Sequence, residues 1–135
     1  MIYLLDTNTC IVYLRVPQSS VAQKLATLAP TDIALSTVTA FELSRGAYRS
    51  IQVAHNLAQV NSFVGRFQCL PFDITVADVA GQIDADLMAR GQRIGPYDTL
   101  IAATALAHNL VLVTHNTNEF SRVSGLRLED WEATL

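Results

Sequence analysis

Apolar residues recur along this chain in two periods, short unbroken runs and stripes spaced three or four apart, and the two alternate from end to end. Unbroken runs of four residues bounded by turn formers read as buried strands, and the spaced stripes read as helices packed by one face. The first run, Ile2-Tyr3-Leu4-Leu5, predicts a strand over 2–5. Helices over 9–15 and 18–29 follow, broken near Pro17 and closed by Pro30. Ile33-Ala34-Leu35-Ser36 is the second strand, with a helix over about 38–50 behind it. His55 to Arg66 carries apolar residues at 57, 60, 63, 64 and 67, an amphipathic helix. The run at 69–72 predicts a short strand that Pro71 confines to an edge or an irregular end.

A helix over 75–89 has Val76, Val79, Ala80, Ile83 and Leu87 as its buried stripe, and Gly91 stops it. After a loop at 91–97, Asp98 opens an alanine-rich helix to Asn109. Leu110-Val111-Leu112-Val113 is a buried strand, and a loop from Thr114 leads to a short terminal strand near Leu126. Strands alternating with helices predict an α/β fold, a mainly parallel sheet covered on both faces. A length of 135 residues fits one domain over 1–135, with no repeat or linker-like tract.

Composition removes several classes. Half the residues are apolar, which excludes disorder. Mean hydropathy is +0.28, yet no apolar run approaches the roughly 20 residues of a membrane span. Met1 is followed at once by strand-like residues, which reads as no secretory leader. Cys10 and Cys69 match no metal or redox spacing, so the expectation is a cytoplasmic protein with both thiols as small core residues. A net charge of −3 disfavours general binding of phosphate backbones but leaves room for a metal-assisted enzyme with a local basic face. Lys24 is the one lysine among nine cations.

The candidate chemistry lies in the acids. Asp6 ends the first strand, and in open α/β sheets the carboxyl edge is where ligands bind. Asp6 or Thr7 reads equally well as the N-cap of the next helix. Glu42 sits among Val38, Phe41 and Leu43, near the buried border of its helix; a surface ion pair to Arg45 is the plainer reading. Asp98 heads a nearly all-apolar helix, where it either meets the helix dipole or points into a cleft. The loop Thr114-His115-Asn116-Thr117-Asn118-Glu119 follows a buried strand and supplies one more acid and a neutral oxygen. The other carboxylates, including Asp78, Asp84, Asp86 and the tail acids Glu129, Asp130 and Glu132, read as solvated or capping groups.

Three or four carboxylates sharing one cleft repel one another unless a cation neutralises them. Oxygen ligands without a Cys or His cluster suit Mg²⁺ or Mn²⁺, and such an ion favours phosphoryl chemistry.

At these positions the chain resembles a known family. Leu4-Leu5-Asp6-Thr7-Asn8, Leu35 to Leu43 around Glu42, Gly95-Pro96-Tyr97-Asp98-Thr99, Val113 to Phe120, and the tail from Leu126 to Trp131 look like the ordered motifs of PIN-domain proteins. The likeness is closest to the VapC-type toxins of bacterial toxin–antitoxin pairs. It spans essentially the whole chain in the right order. The resemblance implies a three-layer α/β/α sandwich, a homodimer, RNA cleavage with Mg²⁺ or Mn²⁺, and a cognate antitoxin that blocks the cleft. Carried over by motif, Asp6, Glu42 and Asp98 become catalytic metal ligands. Many members have Asp where this chain has Asn116; the resemblance then makes Glu119 the fourth acid, with Asn116, Thr114 and Asn8 as supporting groups. Arg45 and Arg49, one and two turns beyond Glu42, are candidates for RNA phosphates, with solvated surface arginines the equal alternative. Arg90 and Arg93 stand the same way.

Two rivals are weaker. A phosphatase of the haloacid dehalogenase type wants an acid where Asn8 stands and a late lysine, and response-regulator receivers want the same lysine; Lys24 comes too early for either. A catalytically silent member of the same fold, binding RNA or protein, is the alternative that Asn116 keeps open.

Overall fold

The computed structural model describes residues 1–132. Five parallel strands, β1 (Tyr3–Leu5), β2 (Ile33–Ser36), β3 (Gln68–Leu70), β4 (Val111–Val113) and β5 (Leu128–Glu129), form one sheet in the order β3-β2-β1-β4-β5. The order grows outward from β1 in one direction and then in the other. That reversal makes the gap between β1 and β4 the switch point, where helices diverge to opposite faces and leave a crevice at the strands' carboxyl ends. Register places Leu5 beside Val113, so the residues that follow each, Asp6 and Thr114, emerge side by side.

Seven helices connect and cover the strands: α1 (Thr7–Arg15), α2 (Ser20–Ala26), α3 (Thr37–Tyr48), α4 (Val53–Val64), α5 (Ile74–Ala89), α6 (Pro96–Ala107) and α7 (Thr117–Phe120). Side chains alternate across a strand, and the two cores follow that alternation. Leu4, Ala34 and Leu112 pack with Val76, Ile83, Leu87 and Ile101 on one face. Leu5, Leu35 and Val113 pack with Cys10, Val21, Leu43, Phe63 and Trp131 on the other. This is the expected three-layer α/β/α sandwich. Leu4, Leu5 and Leu112 are fully buried, so truncating any of them to Ala costs about 2–5 kcal/mol.

Local chemistry sets the element ends, and it moves several predicted boundaries. Pro96 sits in the first turn of α6, so that helix starts two residues before Asp98. It closes at Asn109, whose φ of 55° puts it in the left-handed region, with Leu110 N donating to the Ala105 carbonyl at 2.9 Å. Gly91, at φ 65°, ends α5 in the same way, with Gln92 N on the Leu87 carbonyl at 2.8 Å. Ser19, not Gln18, opens α2, because its side chain caps Ala22 N. The expected helix over 18–29 therefore shrinks at both ends. Pro71 stops β3, which is an edge strand as its proline requires. The terminal strand falls at Leu128–Glu129, two residues beyond Leu126, and the predicted loop from Thr114 contains the one-turn helix α7.

Candidate active site

Asp6 is both things its position suggested. It is the N-cap of α1, its Oδ1 accepting from Thr9 N at 2.8 Å, and it is 3 % exposed at the floor of the β1/β4 crevice. Burial pushes its carboxyl above the ordinary aspartate value; hydrogen bonds from Thr114 and Thr9 pull the other way, and Asp130 adds repulsion. Thr114 is itself fixed, because its hydroxyl oxygen accepts from Asn116 N at 3.0 Å. That leaves the Thr114 proton directed at Asp6. Thr114 thus supports the acid, as the motif implied, whereas Asn116 contributes through its backbone.

Glu42 reaches the same edge from α3. Its Oε1 accepts from the Thr7 hydroxyl at 2.6 Å, and Thr7, Thr39 and Ser36 are linked by hydroxyl contacts of 3.1 and 3.2 Å. This buried hydroxyl chain ties the start of α1 to the start of α3, and it was invisible in the sequence because its members lie 32 and 35 residues apart. The expected Arg45 pair is also present, with Arg45 Nη2 3.8 Å from Glu42 Oε2.

Asp98, half-buried in the first turn of α6, records the convergence most clearly. Its carboxyl is raised to about 6, first by burial and then by the charges of Asp6, Glu42 and Glu119. Acids from four separate elements therefore face one another. A Cβ at Gly95 would stand 3.4 Å from Asp98 Oδ2, so the glycine keeps that flank of the carboxylate open. Glu119 belongs to the group through α7. Asn116 is the N-cap residue of α7 with no side-chain cap bond, while Asn8 is exposed on α1.

Other candidates resolve differently. Arg49 is exposed at the end of α3. Arg90 pairs with Asp86 at 2.7 Å and Arg93 with Asp84 at 3.0 Å, so both neutralise acids of α5 rather than standing free for phosphate. Asp130 was read as a tail acid, but it directly follows β5 and repels Asp6. It also pairs with His115 at 3.0 Å, and that contact raises the imidazole's affinity for its proton. The signal for Asp130 was the same as for Asp6, an acid at the end of a strand, and it was lost because β5 has only two residues.

The donor set, carboxylates crowded at a sheet edge beside hydroxyls and one open flank, fits a divalent metal with oxygen ligands. The PIN-domain family pattern matches residues 3–126. The chain belongs to the PIN-domain family. Within it, the chain is 41 % identical over 129 residues to the tRNA(fMet)-specific endonuclease VapC of Shigella flexneri, covering 96 % of this chain and 97 % of that protein. It is 35 % identical over 133 residues to ribonuclease VapC2 of Rickettsia felis, covering 98 % and 99 %. The toxin chain in the DNA-bound VapBC crystal structure from Salmonella typhimurium superposes with a TM-score of 0.92 at 37 % identity, covering 97 % of this PIN domain and 98 % of that chain. These similarities make it a VapC-type PIN domain.

Proposed function

We propose that this PIN domain is an endoribonuclease toxin of the VapC type, hydrolysing RNA phosphodiester bonds with a divalent cation and restrained by a cognate antitoxin. The observation that carries the reading is the Asp98 carboxyl, raised to about 6 by burial together with Asp6, Glu42 and Glu119. Four acids held that close by a rigid sheet edge need a cation to remain ionised together at neutral pH. In this reading Asp6 and Asp98 hold Mg²⁺ or Mn²⁺, Glu42 and Glu119 orient waters at the same edge, and Asn116, Thr114 and Asn8 support them. The ion would supply Lewis acidity to the attacked phosphate and lower the pKa of a water.

The protein's own contribution is positioning. Thr9 N and Thr114 hold Asp6 in one orientation, and the short Thr7 bond does the same for Glu42. Carboxylates fixed before substrate arrives cost no reorganisation during the reaction. Arg45, beside Glu42, places positive charge on the rim where the RNA backbone would pass.

The antitoxin draws support from relatives crystallised as VapBC complexes, and from an apolar groove lined by Ile11, Leu14, Leu43 and Val60 that runs up to Glu42. A homodimer and a cytoplasmic site of action belong to the same reading; the thiols Cys10 and Cys69 are both free, as a reducing compartment requires. Among the described residues, no helix is long and apolar enough to cross a membrane.

The test is cleavage of structured RNA by wild type, Asp6→Asn and Asp98→Asn, with Mg²⁺, with Mn²⁺ and with chelator. Cutting by wild type alone, abolished by chelator, is expected. Equal cutting by all three proteins would instead favour the catalytically silent reading, with the background arising from a contaminant.

A further inference from the structure

Two aromatic residues stand next to two of the acids in the chain, and the fold brings them into contact. Phe41 precedes Glu42 on α3, and Tyr97 precedes Asp98 on α6. Their rings meet edge to face with centroids 5.5 Å apart, bridging the two helices beside the acid cluster. Both are open to solvent, at 47 % and 38 % exposure, although rings of this size are normally buried. The Arg45 guanidinium lies 5.2 Å from the Phe41 centroid and 5.4 Å from that of Tyr97. Arg45 is therefore held flat against the rings as well as near Glu42, rather than extended toward a phosphate.

We infer that Phe41, Tyr97 and Arg45 form a stacking platform for an unpaired nucleobase next to the scissile phosphate, so that the enzyme selects single-stranded or loop RNA over duplex. This rests on the ribonuclease reading of the acid cluster and adds the class of RNA to it. Exposed aromatic faces together with a guanidinium plane are the groups on which splayed bases stack. In a continuous A-form helix each base face is already covered by its neighbour, so the platform gains nothing from a duplex. Every base has a π-face, so the platform selects strandedness rather than sequence. Charge complementarity points the same way: Arg45 attracts the polyanion to a rim that the acids would otherwise make repulsive.

The experiment measures binding of the full-length protein to a labelled RNA hairpin by fluorescence anisotropy, in Ca²⁺ so that charge is neutralised while turnover is suppressed. Companion probes are the same hairpin with abasic nucleotides in its loop and an uninterrupted duplex of equal length. Wild type should bind the intact loop tightest. Phe41→Leu and Tyr97→Leu, which keep an apolar side chain, should each weaken the intact loop roughly 5- to 100-fold. They should leave the abasic loop unchanged, and Tyr97→Trp should restore tight binding.

Equal affinity for loop and duplex overturns the inference. So does a leucine variant that binds the intact loop like wild type, a leucine penalty that persists on the abasic loop, or a lack of binding to any probe. Light scattering on the same samples identifies the competing role: a leucine variant that turns a dimer into a monomer yet keeps the loop preference makes these rings a subunit contact, and the inference fails. If wild type binds as expected but cuts nothing with Mg²⁺ or Mn²⁺, the platform stands and the ribonuclease reading falls.

Discussion

The acids of this molecule occupy two kinds of place, and the contrast between them identifies the site. Along the solvent face of α5, Asp84 and Asp86 each have a guanidinium within 3.0 Å, from Arg93 and Arg90. At the carboxyl edge of the sheet, Asp6, Glu42, Asp98 and Glu119 crowd together, and among the described residues the one cation in ion-pair range of them is Arg45, 3.8 Å from Glu42. Charge on α5 is balanced within the chain, whereas charge at the edge is stacked by the fold and left for something outside to balance. Total acidity would not have separated the two regions. The missing partner does.

The contrast breaks most sharply by mutation. Asp98→Asn or Asp6→Asn should lower RNA cleavage roughly 10²-fold or more, the scale of removing one preorganised charge-stabilising group. Asp84→Asn should leave the cleavage rate unchanged under the same gel assay. Comparable losses from both would show that the edge has no special standing.

The next effect is on stability against pH, and its sign is opposite to that of a salt-bridged aspartate. The Asp98 carboxyl titrates near 6 in the folded chain, against an ordinary value of 3.8. Between those two values the folded state holds a proton that the unfolded state has released, so stability falls as pH rises through that window. Above 6 the loss is complete. Chelator-treated wild type should therefore melt at a lower temperature at pH 7 than at pH 5, and Asp98→Asn should raise the pH 7 value and flatten this slope. A stabilising mutation that destroys activity is the trade-off expected of a site built on repulsion.

Much of this was legible in the chain. The buried runs 2–5, 33–36 and 110–113 each became a strand shortened by at most one residue, because a four-residue apolar run between turn formers has few other uses. Asp6 stood out for the same reason, a charge at the end of such a run. Where elements were too short to carry a period, the reading failed: α7 has four residues and β5 two, and with β5 went the significance of Asp130. Partners remote in sequence were hidden too. Nothing in the motif around Glu42 announces a 2.6 Å bond to Thr7, and nothing around Phe41 announces contact with Tyr97. Arg90 and Arg93 were ambiguous until the fold put acids beside them.

The hydroxyl chain sharpens the comparison at smaller scale. Thr7→Val removes the donor to Glu42 and should destabilise the protein by about 1 kcal/mol in urea unfolding. It should also slow cleavage by less than Asp98→Asn does, since Glu42 keeps its charge and loses only its orientation. Smallest of all, Arg90→Ala and Arg93→Ala remove exposed pairs worth at most about 1 kcal/mol each. Neither should change RNA affinity in a filter-binding assay, and a clear loss would return both arginines to the candidate interface.

The central claim, that the uncompensated acids at the sheet edge are a divalent-cation site, is tested most directly by calorimetric titration of Mn²⁺ into metal-free protein. Saturable binding to wild type and to Asp84→Asn, abolished or greatly weakened in Asp6→Asn and Asp98→Asn, is the predicted result. Binding to Asp98→Asn indistinguishable from wild type would contradict it.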